Sequence, residues 1–98
     1  MVEIFKSSVF DVWLSHLKDR QVKARVETRI RQLSLGNPGQ HRNLTHGISE
    51  MKIDLGPGYR VYYTMRGKLL VILLCGGNKK TQQKDIATAI RLAETWEE

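Results

Sequence analysis

Lys52 and Arg60 are the residues of this 98-residue chain whose types and spacing most directly suggest chemistry. They fall in Glu50-Met-Lys-Ile-Asp-Leu-Gly-Pro-Gly-Tyr-Arg-Val-Tyr-Tyr63, which reads as a tight β-hairpin turning at Gly56-Pro57-Gly58. Alternation with period two puts Met51, Ile53 and Leu55 on one face of the first strand and Glu50, Lys52 and Asp54 on the other. On the second strand Tyr59, Val61, Tyr63 and Met65 share a face, leaving Arg60, Tyr62 and Thr64 opposite. The two polar faces are expected to form one surface, with Lys52 and Arg60 beside one another. Two cations fixed on neighbouring strands suit a phosphodiester. Arg60 can grip a phosphate bidentately, keeps its proton at neutral pH and is the natural stabiliser of charge building on a phosphorane. Lys52, among like charges, is a candidate proton acceptor or donor, and Glu50 on the same face is the competing base. Tyr62 is a candidate to stack on a nucleobase.

A second anion-binding candidate is Gly76-Gly77-Asn78-Lys79-Lys80-Thr81-Gln82, between an apolar run and the last helix. Its glycines allow close backbone approach to a ligand, and Lys79 and Lys80 are candidate phosphate contacts. A small antiparallel sheet brings this segment to the same rim as Lys52 and Arg60. The basic helix with Lys18, Arg20, Lys23, Arg25, Arg29 and Arg31 is either a solvated face or a holder of RNA backbone, Arg25 and Arg29 being its candidate RNA contacts.

Positioning these side chains falls to a single domain spanning residues 1–98, long enough for one modest core. The net charge of +6 and pI near 9.8 favour an anionic partner. One cysteine, Cys75, excludes an internal disulfide, fits the reducing cytoplasm and reads as a buried structural thiol. Histidines 16, 41 and 46 show no i,i+4 helical spacing, no zinc pattern is recognisable and nothing resembles a nucleophile elbow. The N-terminus does not read as a signal peptide. The longest apolar run, Leu69 to Cys75, is too short to cross a bilayer, which needs ~20 residues.

Val2 to Phe5 is a short strand candidate, and Ser7 or Ser8 caps the helix marked by Phe10, Trp13, Leu14 and Leu17. After a break at Asp19-Arg20, Val22, Val26, Ile30 and Leu33 form the apolar stripe of a second helix, with Arg29 placed off it. Gly36-Asn37-Pro38-Gly39 ends that helix, and residues 40 to 47 look like a polar loop. Strands are expected at Ile48 to Leu55, Tyr59 to Met65 and Leu69 to Cys75, the last buried on both faces because it does not alternate. A final helix runs from about Thr81, its expected N-cap, to Trp96, with Ile86, Ala89, Ile90 and Ala93 inward. The fold class is therefore α+β in the order β-α-α-β-β-β-α, helices packed on a mostly antiparallel meander.

Val9-Phe-Asp-Val-Trp-Leu14, Gly-Ile-Ser-Glu-Met-Lys52, Gly-Pro-Gly-Tyr-Arg-Val-Tyr-Tyr63 and Leu-Leu-Cys-Gly-Gly-Asn-Lys-Lys-Thr-Gln82 together resemble the RelE/ParE toxin superfamily, closest to its HigB-like addiction module killer branch. The resemblance implies a type II toxin in the cytoplasm, masked by a helix-turn-helix antitoxin. It also implies a metal-free, cofactor-free ribonuclease that cuts mRNA on the ribosome by attack of a ribose 2′-OH on the adjacent phosphate. Arg60 then matches the strand arginine that steadies the transition state, Lys52 a basic residue on the preceding strand, and Lys80, or Lys79 by a one-place shift, a basic residue near the leaving group. Asp54 stands where RelE has a second lysine, and no tyrosine occurs among Gln82, Gln83, Lys84 and Asp85. The superfamily also supports two rival readings: a ParE-like inhibitor of DNA gyrase that cuts nothing, and an inactive toxin serving as corepressor with its antitoxin.

Overall fold

A computed structural model describes residues 1–96; the last two positions of the expected domain, 97 and 98, lie outside the described residues. The chain runs through β1 (Glu3–Lys6), α1 (Ser8–Ser15), α2 (Arg20–Ser34), β2 (His41–Asn43), β3 (Ile48–Lys52), β4 (Arg60–Arg66), β5 (Leu70–Gly77), a 3-10 turn (Lys79–Thr81) and α3 (Gln82–Thr95). The five strands form one sheet in the order β1-β5-β4-β3-β2, antiparallel except for the β1–β5 pair. The α+β class and the expected sequence of elements hold, with one addition.

That addition is β2. Residues 40 to 47 read as a loop because His41, Arg42 and Asn43 are all polar and all exposed, so no apolar alternation marks them. Backbone pairing alone makes the strand: His41 faces Met51, Arg42 faces Glu50 and Asn43 faces Ser49.

Helix ends follow local side-chain chemistry. Ser7 caps α1 by accepting from Phe10 N–H at 3.0 Å and donates to Leu74 O, tying the helix start to β5. Asp19 caps α2 through Gln21 and Val22 N–H. At the last helix the expected cap moves by three residues. Asn78 accepts from Lys80 and Thr81 N–H and Thr81 closes a capping box around the 3-10 turn, whereas Thr81 makes no side-chain cap to α3. Thr81 instead donates to Asp85 Oδ2 at 2.5 Å.

Two apolar layers sandwich the sheet. Phe10, Val22, Val26, Ile30 and Leu33 of α1 and α2 pack on Met51, Ile53, Val61, Tyr63, Val71 and Leu73. On the other side Ala89, Ile86 and Ile90 of α3 pack on Ile48, Tyr62, Ile72, Leu74 and Cys75. Burial of β5 on both faces, expected from its unbroken apolar run, follows from this arrangement. A bulge between Tyr62 and Tyr63 shifts the β4–β5 register and explains why the adjacent Leu74 and Cys75 both join the α3 side.

Burial raises the Cys75 thiol to about 12, with Asp85 adding to the effect. Because the folded state favours the protonated thiol, this contribution to stability is whole below the unfolded thiol's range and is lost as pH rises toward 12. At neutral pH the folded protein should react with a thiol-specific reagent at least about a hundredfold more slowly than the urea-unfolded chain, since thiolate is the nucleophile. Equal rates would show that the β5–α3 layer opens freely.

A candidate cationic site at the end of the sheet

Lys52 and Arg60 face each other directly across β3 and β4, and Arg60 faces Gly77 across β4 and β5. Directly paired residues project to the same side, so Lys52, Arg60 and the end of β5 form one row on the α3 face of the sheet. Helix α3 packs on Ile48, Tyr62, Ile72, Leu74 and Cys75 of that face, and Lys52 at the end of the row is exposed. The expectation of a continuous polar surface is corrected accordingly. Thr64 is buried, and Tyr62 is fully buried beneath α3 and cannot stack on a base. Burial, reinforced by Glu50, holds the Tyr62 hydroxyl well above its ordinary range.

Arg60 is 9% exposed and held in place. Its Nη1 donates to Gly58 O at 2.8 Å, and its Nε lies 3.3 Å from Glu50 Oε1. That separation suffices for charge attraction, yet the buried Nε has no aligned hydrogen-bond acceptor among the described residues. Glu50, 5% exposed, is fully engaged: Oε1 also accepts from Gln82 Nε2 at 2.7 Å, and Oε2 lies 3.3 Å from Arg42 Nη2. A carboxylate enclosed by two guanidinium groups and an amide orients its neighbours; its reach to a substrate proton is blocked by those partners. Lys52 is exposed beside this network.

The glycine-rich segment serves packing first. A Cβ on Gly76 would fall against the Trp13 ring, and one on Gly77 would fall on the Asp85 carboxylate, with Thr81 Oγ1 at 2.7 Å. The two glycines thus admit Trp13 on one face and Asp85 on the other. Through them the chain reaches Lys79. A Cβ built on Gly58 would lie 3.5 Å from Arg60 Nη1 and 3.7 Å from Lys79 Cβ, which places the Lys79 stem beside Arg60. Lys80 sits one place further, in a groove lined with Gln82, Gln83 and Lys84.

Around the row lies a cleft of about 270 Å³ lined by Gln40, His41, Arg42, Glu50, Lys52 and Arg60. Larger open grooves of about 620 and 610 Å³ run along β1, away from this convergence of charge. Arg42 and Gln40 also line this cleft and escaped the sequence reading, because β2 and the bend before it carry no periodic signal. Arg42 faces Glu50 in the ladder, and Lys52 N–H donates to Gln40 O at 3.2 Å.

The basic helix does not join the site. Arg29 is 7% exposed, its guanidinium donating to Lys52 O at 2.6 Å, Gln40 O at 2.9 Å and Pro38 O at 3.2 Å. Its position one turn from Val26 and Leu33 puts it on the buried arc of α2. It therefore braces the backbone of Lys52 and Gln40 from beneath, and is corrected from a nucleic-acid contact to a structural one. Replacing it with Met should cost on the order of 2 kcal/mol by orphaning those carbonyls, measured by urea unfolding. An unchanged midpoint would contradict this role. Arg25 pairs with Asp54 at 2.6 Å on the surface and holds that carboxyl below its usual range. Among the described residues no group of three or more His, Cys, Asp or Glu is placed to hold a metal, and no helix is long and apolar enough to cross a membrane.

The chain is similar to known proteins over nearly its full length. A protein of Haemophilus influenzae, described only as uncharacterized, is 47% identical over 93 residues, covering 95% of this chain and 94% of the relative. The family described as "Phage derived protein Gp49-like" (DUF891) matches residues 12–96, which include the second half of α1, the cationic row and α3. The chain therefore belongs to the phage-derived Gp49-like family, a family of the toxin–antitoxin addiction-module type.

Proposed function

We propose that this protein is the toxin of a type II toxin–antitoxin pair and acts as a metal-independent endoribonuclease on mRNA being translated. The observation that carries the reading is the ladder Lys52–Arg60–Gly77, which sets two cations side by side and brings Lys79 to the same spot. In the cleavage step the ribose 2′-oxygen bonds to the adjacent phosphorus while the bond from phosphorus to the 5′-oxygen breaks. The products are a 2′,3′-cyclic phosphate and a 5′-hydroxyl. Arg60, held by Gly58 and Glu50, stabilises the charge that builds on the non-bridging oxygens. Lys52, exposed beside it, takes the 2′-hydroxyl proton when it stands as the free amine and carries the positive charge afterwards; Glu50 is occupied by Gln82, Arg42 and Arg60 and acts as the positioning group. Lys79, with Lys80 next to it, stands on the side of the departing 5′-oxygen, and its ammonium gives that oxygen the proton that completes the 5′-hydroxyl.

The resemblance of the sequence to the RelE/ParE superfamily and its HigB-like branch supports the same assignment, and the partner proposed with it is a helix-turn-helix antitoxin that masks this end of the sheet. Mapping transcript ends after brief induction tests the proposal. Cuts within translated messages are expected. Intact mRNA accompanied by DNA damage would transfer the chain to the gyrase-poison reading, and absence of toxicity would make it a corepressor.

A further inference from the structure

Resting on that reading and extending it, we infer that the cleft is a track for an extended single strand of RNA running across the strands, with Arg42 of β2 gripping a phosphate beyond the scissile one. Lys79, Arg60, Lys52 and Arg42 come from the segment after β5 and from β4, β3 and β2 in spatial order. Neighbouring strands lie ~4.8 Å apart, so the path from the end of β5 to β2 is about 14 Å. That length accommodates roughly three nucleotides of extended chain. Among the described residues these four cations border the path, with the Glu50 carboxylate buried beneath them and the Asp85 carboxylate against Gly77 at the β5 end. Arg42 spends one nitrogen near Glu50 at 3.3 Å while its side chain remains 64% exposed, leaving the rest of the guanidinium fork for a ligand.

The lining selects RNA over an acidic protein segment. Among the described residues no apolar side chain lines the cleft, whereas stable protein interfaces are built around buried aromatic and aliphatic anchors. Exposed apolar residues of the molecule, among them Phe5, Val9, Val12 and Leu69, belong to β1, α1 and the turn before β5. With Tyr62 buried, the face offers backbone electrostatics and no tyrosine platform, so binding is governed by phosphate number.

The test uses the full chain and labelled 2′-O-methyl oligonucleotides of one to five nucleotides, which lack the attacking hydroxyl and cannot be cut by this route. Affinity should climb with each phosphate up to three and then level off. The log–log salt slope should approach about −2, from ~0.7 per single-strand phosphate, and Arg42→Ala should reduce its magnitude by about 0.7. Lys18→Ala and Arg20→Ala, outside the cleft, should leave the slope unchanged. Affinity independent of length, an Arg42→Ala slope equal to the parent's, or an acidic peptide that outcompetes the trinucleotide would each overturn the track. Because the probe is not cleaved, the expected pattern in a protein that cuts no RNA would uphold the track and remove the nuclease assignment. Robust cleavage with no length or Arg42 dependence would do the reverse.

Discussion

Arg60→Ala should lower the rate of RNA cleavage about a hundredfold or more, equivalent to ~3 kcal/mol of transition-state stabilisation, and abolish growth inhibition. The size follows from preorganisation. Gly58 O and Glu50 fix the guanidinium before substrate arrives, and the largely buried setting strengthens its action on developing charge. Folding and antitoxin binding should persist, because Glu50 keeps Gln82 and Arg42 when Arg60 is removed. Far-UV circular dichroism, antitoxin pull-down and a single-turnover cleavage rate on the same preparation separate the effects. Arg60→Lys should recover only part of the rate, since an ammonium keeps the charge and loses the planar fork. A well-expressed Arg60→Ala protein as toxic as the parent would refute the assignment of this residue.

The largest effect on stability is expected at Gly76. A methyl there would meet Trp13 Cε3, Cδ2 and Cζ3 at under 3.0 Å, closer than packed carbons come. The indole has little room to retreat, being lodged against Phe10 at 5.8 Å and Tyr59 at 6.3 Å between ring centroids. Gly76→Ala should therefore cost roughly 3 kcal/mol, which for a domain of this size lowers Tm by about 15 °C. The double variant Trp13→Leu with Gly76→Ala isolates the cause. If the indole is the obstacle, the glycine substitution should cost at least about 1 kcal/mol less when Trp13→Leu is already present. Equal costs with and without the indole would place the strain elsewhere.

Hydrophobic patterning read most of this fold correctly. The stripe Val22, Val26, Ile30 and Leu33, the alternation of Met51 and Ile53, and the unbroken run into Cys75 each predicted the burial observed. What patterning could not express was a strand without apolar residues, and β2 went unseen together with Arg42 and Gln40. Alternation separated the Tyr62 face from the Val61 face correctly, yet it carries no information on what covers a face. Helix α3 lands on Tyr62, and Thr64 is buried with its hydroxyl donating to Gly47 O, and those contacts decide which polar residues remain available. Arg29 was misjudged for a related reason: its charge suggested solvent, while its helical position between Val26 and Leu33 points inward. The backbone carbonyls that receive it lie in the turn after α2 and at the end of β3, distant in sequence. The pairing of Lys52 with Arg60, by contrast, was legible because a short hairpin fixes their register locally.

The decisive measurement is the chemistry of RNA ends produced by the purified chain on a message undergoing translation, with Arg60→Ala and Lys52→Ala run in parallel. The cationic row predicts a 2′,3′-cyclic phosphate upstream and a 5′-hydroxyl downstream of each cut, formed by the parent and strongly reduced in both variants. Messages left intact while translation stops, or the same ends generated equally well by both variants, would contradict it.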